Sequence, residues 1–197
     1  MPAGRLVLTA SPQHEVVVFQ QVRPHPANGL DFEDGMKTST ANWGAPTDVL
    51  ARLEGDWTIV RHVDGQHLLK GIATFSANGD GSLAYHERGR VHLADGQEFD
   101  AERRYLYRAS PGGFAVFFFE EPARLFHEIR LEEAHGGMMS EASHLCKEDL
   151  YRSRYVFLAD GTFLIRHEVS GPRKSFTLET LYDRDHRPDR EAMRLEG

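Results

Sequence analysis

One cysteine, Cys146, is all the chain contains, so no disulfide can form within it and a reducing compartment is expected. Positive charge is short as well. Lys and Arg total 23 against 30 Asp and Glu, a net charge of −7, whereas phosphate binding needs a basic face. The same balance gives mild repulsion from anionic membrane surfaces. No apolar run approaches the roughly 20 residues of a membrane-spanning helix. At the start, no basic segment leads into an apolar stretch and a small-residue cleavage site, so no secretory signal is read. These absences predict a cytoplasmic protein whose partner is neither nucleic acid nor membrane. Fixed-period repeats are missing. So are the paired Cys or His spacings of strong metal sites, and neither a metal nor a cofactor is expected.

What is present is a train of short, alternating, aromatic-rich segments. Residues 1–45 stand apart as an N-terminal extension. Arg5–Thr9 and Glu15–Val22 have strand composition and suggest a hairpin, followed by a loop rich in Pro, Gly, Ser and Asn. Pro46, Thr47 and Asp48 then have the chemistry of a helix start, and Val49, Leu50 and Leu53 recur at helical spacing up to Gly55. Such a short helix is stable only against an apolar surface. From Trp57 to Arg184 about ten strands follow, separated by turn chemistry: Asp64-Gly65, Asn78-Gly79, Asp95-Gly96, Pro111-Gly112, Asp160-Gly161 and Gly171-Pro172. The connections leave hardly any room for crossover helices, so neighbours are antiparallel. A sheet of that size curls, and closing it removes its edges. The expected fold is all-β: an up-and-down antiparallel barrel of about ten strands over residues 46–184, with a short helix before the first strand and a charged tail over 185–197. A two-sheet sandwich is the alternative.

Gly55-Asp56-Trp57, directly after the helix and opening the first strand, resembles the Gly-x-Trp signature of the lipocalin (calycin) and fatty-acid-binding proteins. That resemblance implies a tryptophan packed across the barrel bottom under a late-strand basic residue, Lys174 or Arg184, with Lys174 placed to cover Trp57. The chain also resembles a bacterial and fungal domain family of unknown function, number 6314. The matching residues are Tyr85-x-Glu87-x-Gly89, Arg104-Tyr105-x-Tyr107, Phe126-His127, His144-x-Cys146-x-x-Asp149-x-Tyr151 and Gly171-Pro172-x-Lys174, over about residues 47–184. This implies the fold and brings no activity.

A barrel of this size is either filled by its own side chains or holds one small molecule. The polar groups that would converge on such a molecule are Tyr85, Glu87, Arg104, Tyr107, His127, His144 and Tyr151. Arg104 would bind a carboxylate or enolate through two points; equally, it could pair with Glu87 and tie two strands together. Strand parity puts Leu83, Tyr85 and Glu87 on one face, and His144 with Cys146 on one face. It does not assign the interior face of every strand, because both faces carry polar and apolar residues. His144 and Cys146, joined by His127, are ligand types for zinc or iron, although a buried cysteine more often serves as a small apolar residue. Asp149 fits a loop role, capping backbone N–H groups in the turn after Cys146. The expected partner is therefore a small, partly apolar, anionic molecule. Two other readings stay open: a barrel enzyme of lyase or isomerase type, and a closed barrel acting as an interaction module with its N-terminal hairpin as a docking or homodimer element.

Overall fold

The computed structural model describes residues 43–64, 67–134 and 136–184. The expected hairpin at Arg5–Thr9 and Glu15–Val22 and the charged tail over 185–197 lie outside the described residues.

A 3-10 turn (Pro46–Asp48) runs into a single α-helical turn, α1 (Val49–Leu53). The Asp48 carboxylate accepts a hydrogen bond from the Ala45 N–H at 2.9 Å, which satisfies one of the open donors of the helix start. Val49, Leu50 and Leu53 are buried. The helix is therefore held by the barrel it plugs and not by its own length.

Eleven strands follow: β1 (Gly55–Val63), β2 (His67–Ala77), β3 (Leu83–His92), β4 (Glu98–Ser110), β5 (Gly113–Phe118), β6 (Leu125–Arg130), β7 (Glu132–Ala134), β8 (Gly137–Cys146), β9 (Asp149–Phe157), β10 (Phe163–Gly171) and β11 (Lys174–Asp183). They form one antiparallel sheet in the order β6-β5-β4-β3-β2-β1-β11-β10-β9-β8-β7. First and last strands pair directly, Ile59 opposite Tyr182 and Arg61 opposite Thr180. The sheet thus closes on itself, with β6 packed against β8 where no ladder joins them. The fold is a nearly closed all-β barrel with one short helix before its first strand. It has one strand more than the sequence suggested: β7, three residues of the acidic segment after Leu131 that read as loop, pairs with β8.

Alternation fills the barrel. In β1 the buried positions are Trp57, Ile59, Arg61 and Val63, every second residue. Gly71 and Gly89 sit opposite each other on β2 and β3. A Cβ on Gly71 would run into the Arg88 carbonyl oxygen, so these strands approach more closely than side chains allow.

One end of the barrel is sealed by aromatic rings. Trp43 stacks on Trp57 at 6.0 Å, and Phe163 stacks on Tyr182 at 4.1 Å. Both indole N–H groups are satisfied, Trp57 by the Leu53 carbonyl at 2.8 Å and Trp43 by that of Leu158 at 2.7 Å. Arg184 lies 4.2 Å over the Trp57 ring and donates to the carbonyls of Arg52 and Glu54 at 2.6 Å each. It is Arg184, then, and not Lys174, that covers Trp57. Lys174 is held elsewhere, 2.8 Å from Asp149. Asp149 itself opens β9, and its carboxylate joins the start of that strand to the start of β11.

Candidate functional site

Two polar clusters occupy the barrel interior. The first is ionic. Arg61 on β1 donates from both terminal nitrogens to Glu87 on β3, at 2.6 Å each, and its Nε donates to Thr180 Oγ1 on β11 at 2.7 Å. Tyr85 donates its hydroxyl proton to Glu87 Oε2 at 2.6 Å. That proton being used, the 3.1 Å contact between the Tyr85 and Tyr182 hydroxyls has Tyr182 as donor. Burial alone would push the Glu87 carboxyl up. The Arg61 and Arg103 charges and the hydrogen bonds outweigh it and hold the group down at about 2. Burial raises the hydroxyls of Tyr85, Tyr107 and Tyr182 above the usual phenol range, so they stay protonated and able to donate.

The second cluster is neutral. His127 Nδ1 on β6 lies 3.0 Å from the Tyr155 hydroxyl on β9. His127 Nε2 lies 3.3 Å from Ser153 Oγ, also on β9. Ser153 Oγ lies 2.6 Å from His167 Nδ1 on β10. Burial, then the neighbouring His144, lowers His127 to about 3. Burial, then His127, Arg103 and Arg61, takes His167 well below the ordinary imidazole range. Both rings are uncharged near neutral pH.

Between the clusters lies a cavity of about 20 Å³, room for about one or two waters. Arg61, Arg103 and His167 line it together with the phenols of Tyr85, Tyr105, Tyr107, Tyr155 and Tyr182. Val116, Phe126 and Ile165 supply its apolar wall. This space is small and polar.

Of the seven residues singled out from sequence, Tyr85 and Tyr107 line this cavity. Glu87 is buried behind it, and its partner is Arg61, not Arg104. Arg104 stands on the outer face, paired with Glu102 at 3.2 Å and lying over the Phe119 ring. Arg103, one residue earlier, shares strand parity with the buried Tyr105 and Tyr107 and reaches the cavity. His127 and His144 come together, ring centroids 6.4 Å apart, where β6 meets β8. Tyr151 is buried on β9, its ring 6.2 Å from Phe126. Cys146 is partly buried at the end of β8. Among the described residues, no group of three or more His, Cys, Asp or Glu is placed to hold a metal ion.

Arg61, Arg103, Ser153, Tyr155 and His167 are among the site residues that were not singled out from sequence. Parity carried a signal for all five. Arg61 is in step with Trp57 and Ile59, Arg103 with Tyr105, Ser153 and Tyr155 with Tyr151 and Phe157, and His167 with Phe163 and Ile165. Phe126 had none. His127 sits opposite the buried Val116 in regular register; it is Phe126 that the slip between β5 and β6 brings inward, where Phe117 faces Leu125. Both Phe126 and His127 are buried as a result, their rings stacked at 3.8 Å.

Comparisons with known proteins give distant structural likenesses and one family. A redesigned β-barrel, mFAP1, solved bound to DFHBI, is similar at 10% identity over 68% of this chain and 97% of its own, with a TM-score of 0.35. Another redesigned β-barrel, b11L5F_LGL, is similar at 13% identity over 72% of this chain and 96% of its own, with a TM-score of 0.34. Both likenesses are too distant to bear on what this chain does. No curated protein matches the chain. The model of DUF6314, a family of unknown function, matches residues 53–184, and the chain belongs to that family.

Proposed function

We propose that the barrel binds a small, partly apolar anion in the cavity between its two polar clusters. The observation that carries this reading is the cavity lining. Among the described residues that line it, two are arginines and none is a carboxylate, while five phenols offer hydrogen bonds. A carboxylate seated between Arg61 and Arg103 gains charge-assisted hydrogen bonds. The walls of Val116, Phe126 and Ile165 would take its apolar part. The free volume sets a size limit. The space as it stands takes about one or two waters, so even a small carboxylate needs Arg103, which is only partly buried, to move aside.

Calorimetry with acetate, pyruvate, lactate and benzoate tests the reading. At least one should bind saturably. Arg103→Met should weaken that binding by about 10–100-fold, the worth of a hydrogen bond to a charged group, while Arg104→Ala should leave it unchanged. Failure of every anion to bind, or equal binding by Arg103→Met, overturns the proposal.

A further inference from the structure

The neutral cluster is a chain of four side chains whose two ends face the same cavity. It runs Tyr155–His127–Ser153–His167, with contacts of 3.0, 3.3 and 2.6 Å. Tyr155 and His167 both line the cavity. Ser153 and His127 sit behind them, buried at 3% and 1% exposure.

Two proton arrangements satisfy every link. In one, His167 Nδ1–H donates to Ser153, Ser153 donates to His127 Nε2, His127 Nδ1–H donates to Tyr155, and the Tyr155 proton points to the cavity. His167 Nε2 is then a bare acceptor. In the other, every proton has moved one place: Tyr155 donates to His127, His127 to Ser153, Ser153 to His167, and His167 carries its proton on Nε2. The two forms differ by no net charge. That suits a site in which burial keeps both imidazoles neutral.

We infer that this chain interconverts the tautomers of the bound ligand, and that the ligand class is the small 2-oxo acids. The inference rests on the anion-binding reading above. The ligand's carboxylate occupies the arginine side of the cavity, its carbonyl oxygen meets Tyr155, and its C3–H meets His167 Nε2. The C3–H bond breaks and its proton goes to Nε2. Its electron pair becomes the C2–C3 double bond, and the carbonyl π pair takes the Tyr155 proton to form the enol O–H. Within the protein, a proton passes from His167 Nδ1 to Ser153, from Ser153 to His127 Nε2, and from His127 Nδ1 to Tyr155. Atoms and charge balance without any co-reactant, and the reverse step returns the keto acid. Tyr155 and His167 are the catalytic residues; Ser153 and His127 are positioning residues that reconnect them.

Pyruvate in D2O supplies the test. A passage in which the proton on His167 Nε2 exchanges with solvent, or the enol is released, before the reverse step replaces a methyl hydrogen by deuterium, which proton NMR follows as loss of the methyl signal against a protein-free control. Binding is measured separately by calorimetry. Saturable exchange is expected in the full chain. Tyr155→Phe and Ser153→Ala should each lower kcat by about 10²-fold or more, Ser153→Ala at unchanged pyruvate affinity. Ser153→Thr, which keeps the hydroxyl, should restore much of the rate. A side chain that merely supports the fold would move KM and thermal stability together and would not be rescued by a hydroxyl. Pyruvate that binds without exchanging overturns this inference and leaves the anion-binding reading standing. Exchange undiminished in Ser153→Ala and Tyr155→Phe overturns it too. Absence of pyruvate binding overturns it at the level of ligand class, and binding of another anion in the panel would then keep the broader reading alive.

Discussion

Arg61 and Glu87 keep full charges inside the barrel, whereas His127 and His167 keep none. Both clusters are buried, and both are satisfied by hydrogen bonds from neighbouring strands. The difference is the partner. A carboxylate and a guanidinium meet through two parallel bonds, and their mutual attraction offsets part of the cost of leaving water. The histidines meet hydroxyls, which accept or donate without demanding charge, so burial decides their state. One interior thus holds a fixed electrostatic feature beside a pliable one: the ionic cluster orients, and the neutral cluster can rearrange its protons.

The largest effect should come from dividing the ion pair. Glu87→Gln leaves a guanidinium buried without its carboxylate and should cost about 3–5 kcal/mol, measured by urea unfolding. Replacing both partners, Arg61→Met with Glu87→Leu, should recover most of that loss. A double variant as unstable as the single one would show that the pair itself stabilises the fold.

Acid should separate the clusters next. Glu87, held at about 2 when folded against an ordinary value of 4.5, contributes stability that is present above pH 4.5 and lost as pH falls through about 2. His127, depressed from 6.5 to about 3, binds its proton more readily in the unfolded chain. Its penalty therefore begins as pH falls below 6.5 and grows until about 3, by up to about 1.4 kcal/mol per pH unit. Chemical unfolding between pH 7 and 5 should consequently steepen through the neutral cluster alone. His127→Gln should lessen that slope, His167 keeping its share, and Glu87→Gln should not.

Residues outside both clusters mark the small end of the scale. Arg184→Ala removes the cation over Trp57 and two hydrogen bonds to the carbonyls of Arg52 and Glu54, and should cost about 1–2 kcal/mol. Arg104→Ala breaks only an exposed pair with Glu102 and should stay within about 0.5 kcal/mol. A drop for Arg104→Ala comparable with that of Glu87→Gln would mean that the inside–outside distinction drawn on β4 is mistaken.

The sequence made the barrel legible because turn pairs and alternation are local signals. Asp160-Gly161 and Gly171-Pro172 mark strand ends with no knowledge of what the strands pack against. β7 escaped because three residues cannot show a period. The site was harder to read because it is assembled across the sheet. Arg61 meets a carboxylate 26 residues away and a threonine 119 residues away, distances that no spacing rule links. Arg104 drew attention over Arg103 because two adjacent arginines look alike until one face is known to be interior. Phe126 is the clearest case. A one-residue slip between β5 and β6 turned it inward beside His127, and such a slip follows from the packing of two strands, not from the sequence of either.

The meeting of β6 and β8 without a hydrogen-bond ladder has a consequence for timing. Everywhere else around the barrel, separating two strands means breaking a run of backbone bonds; along this line it means only unpacking side chains. Local opening should therefore be cheapest there, and amide exchange fastest on β6 and β7. His127 rides on β6 while Ser153 and Tyr155 ride on β9. Each such opening admits water and removes the middle of the proton chain in the same motion. The barrel can thus be accessible or connected, but not both at once, and a ligand admitted through this line would meet an intact chain only after the strands had come back together.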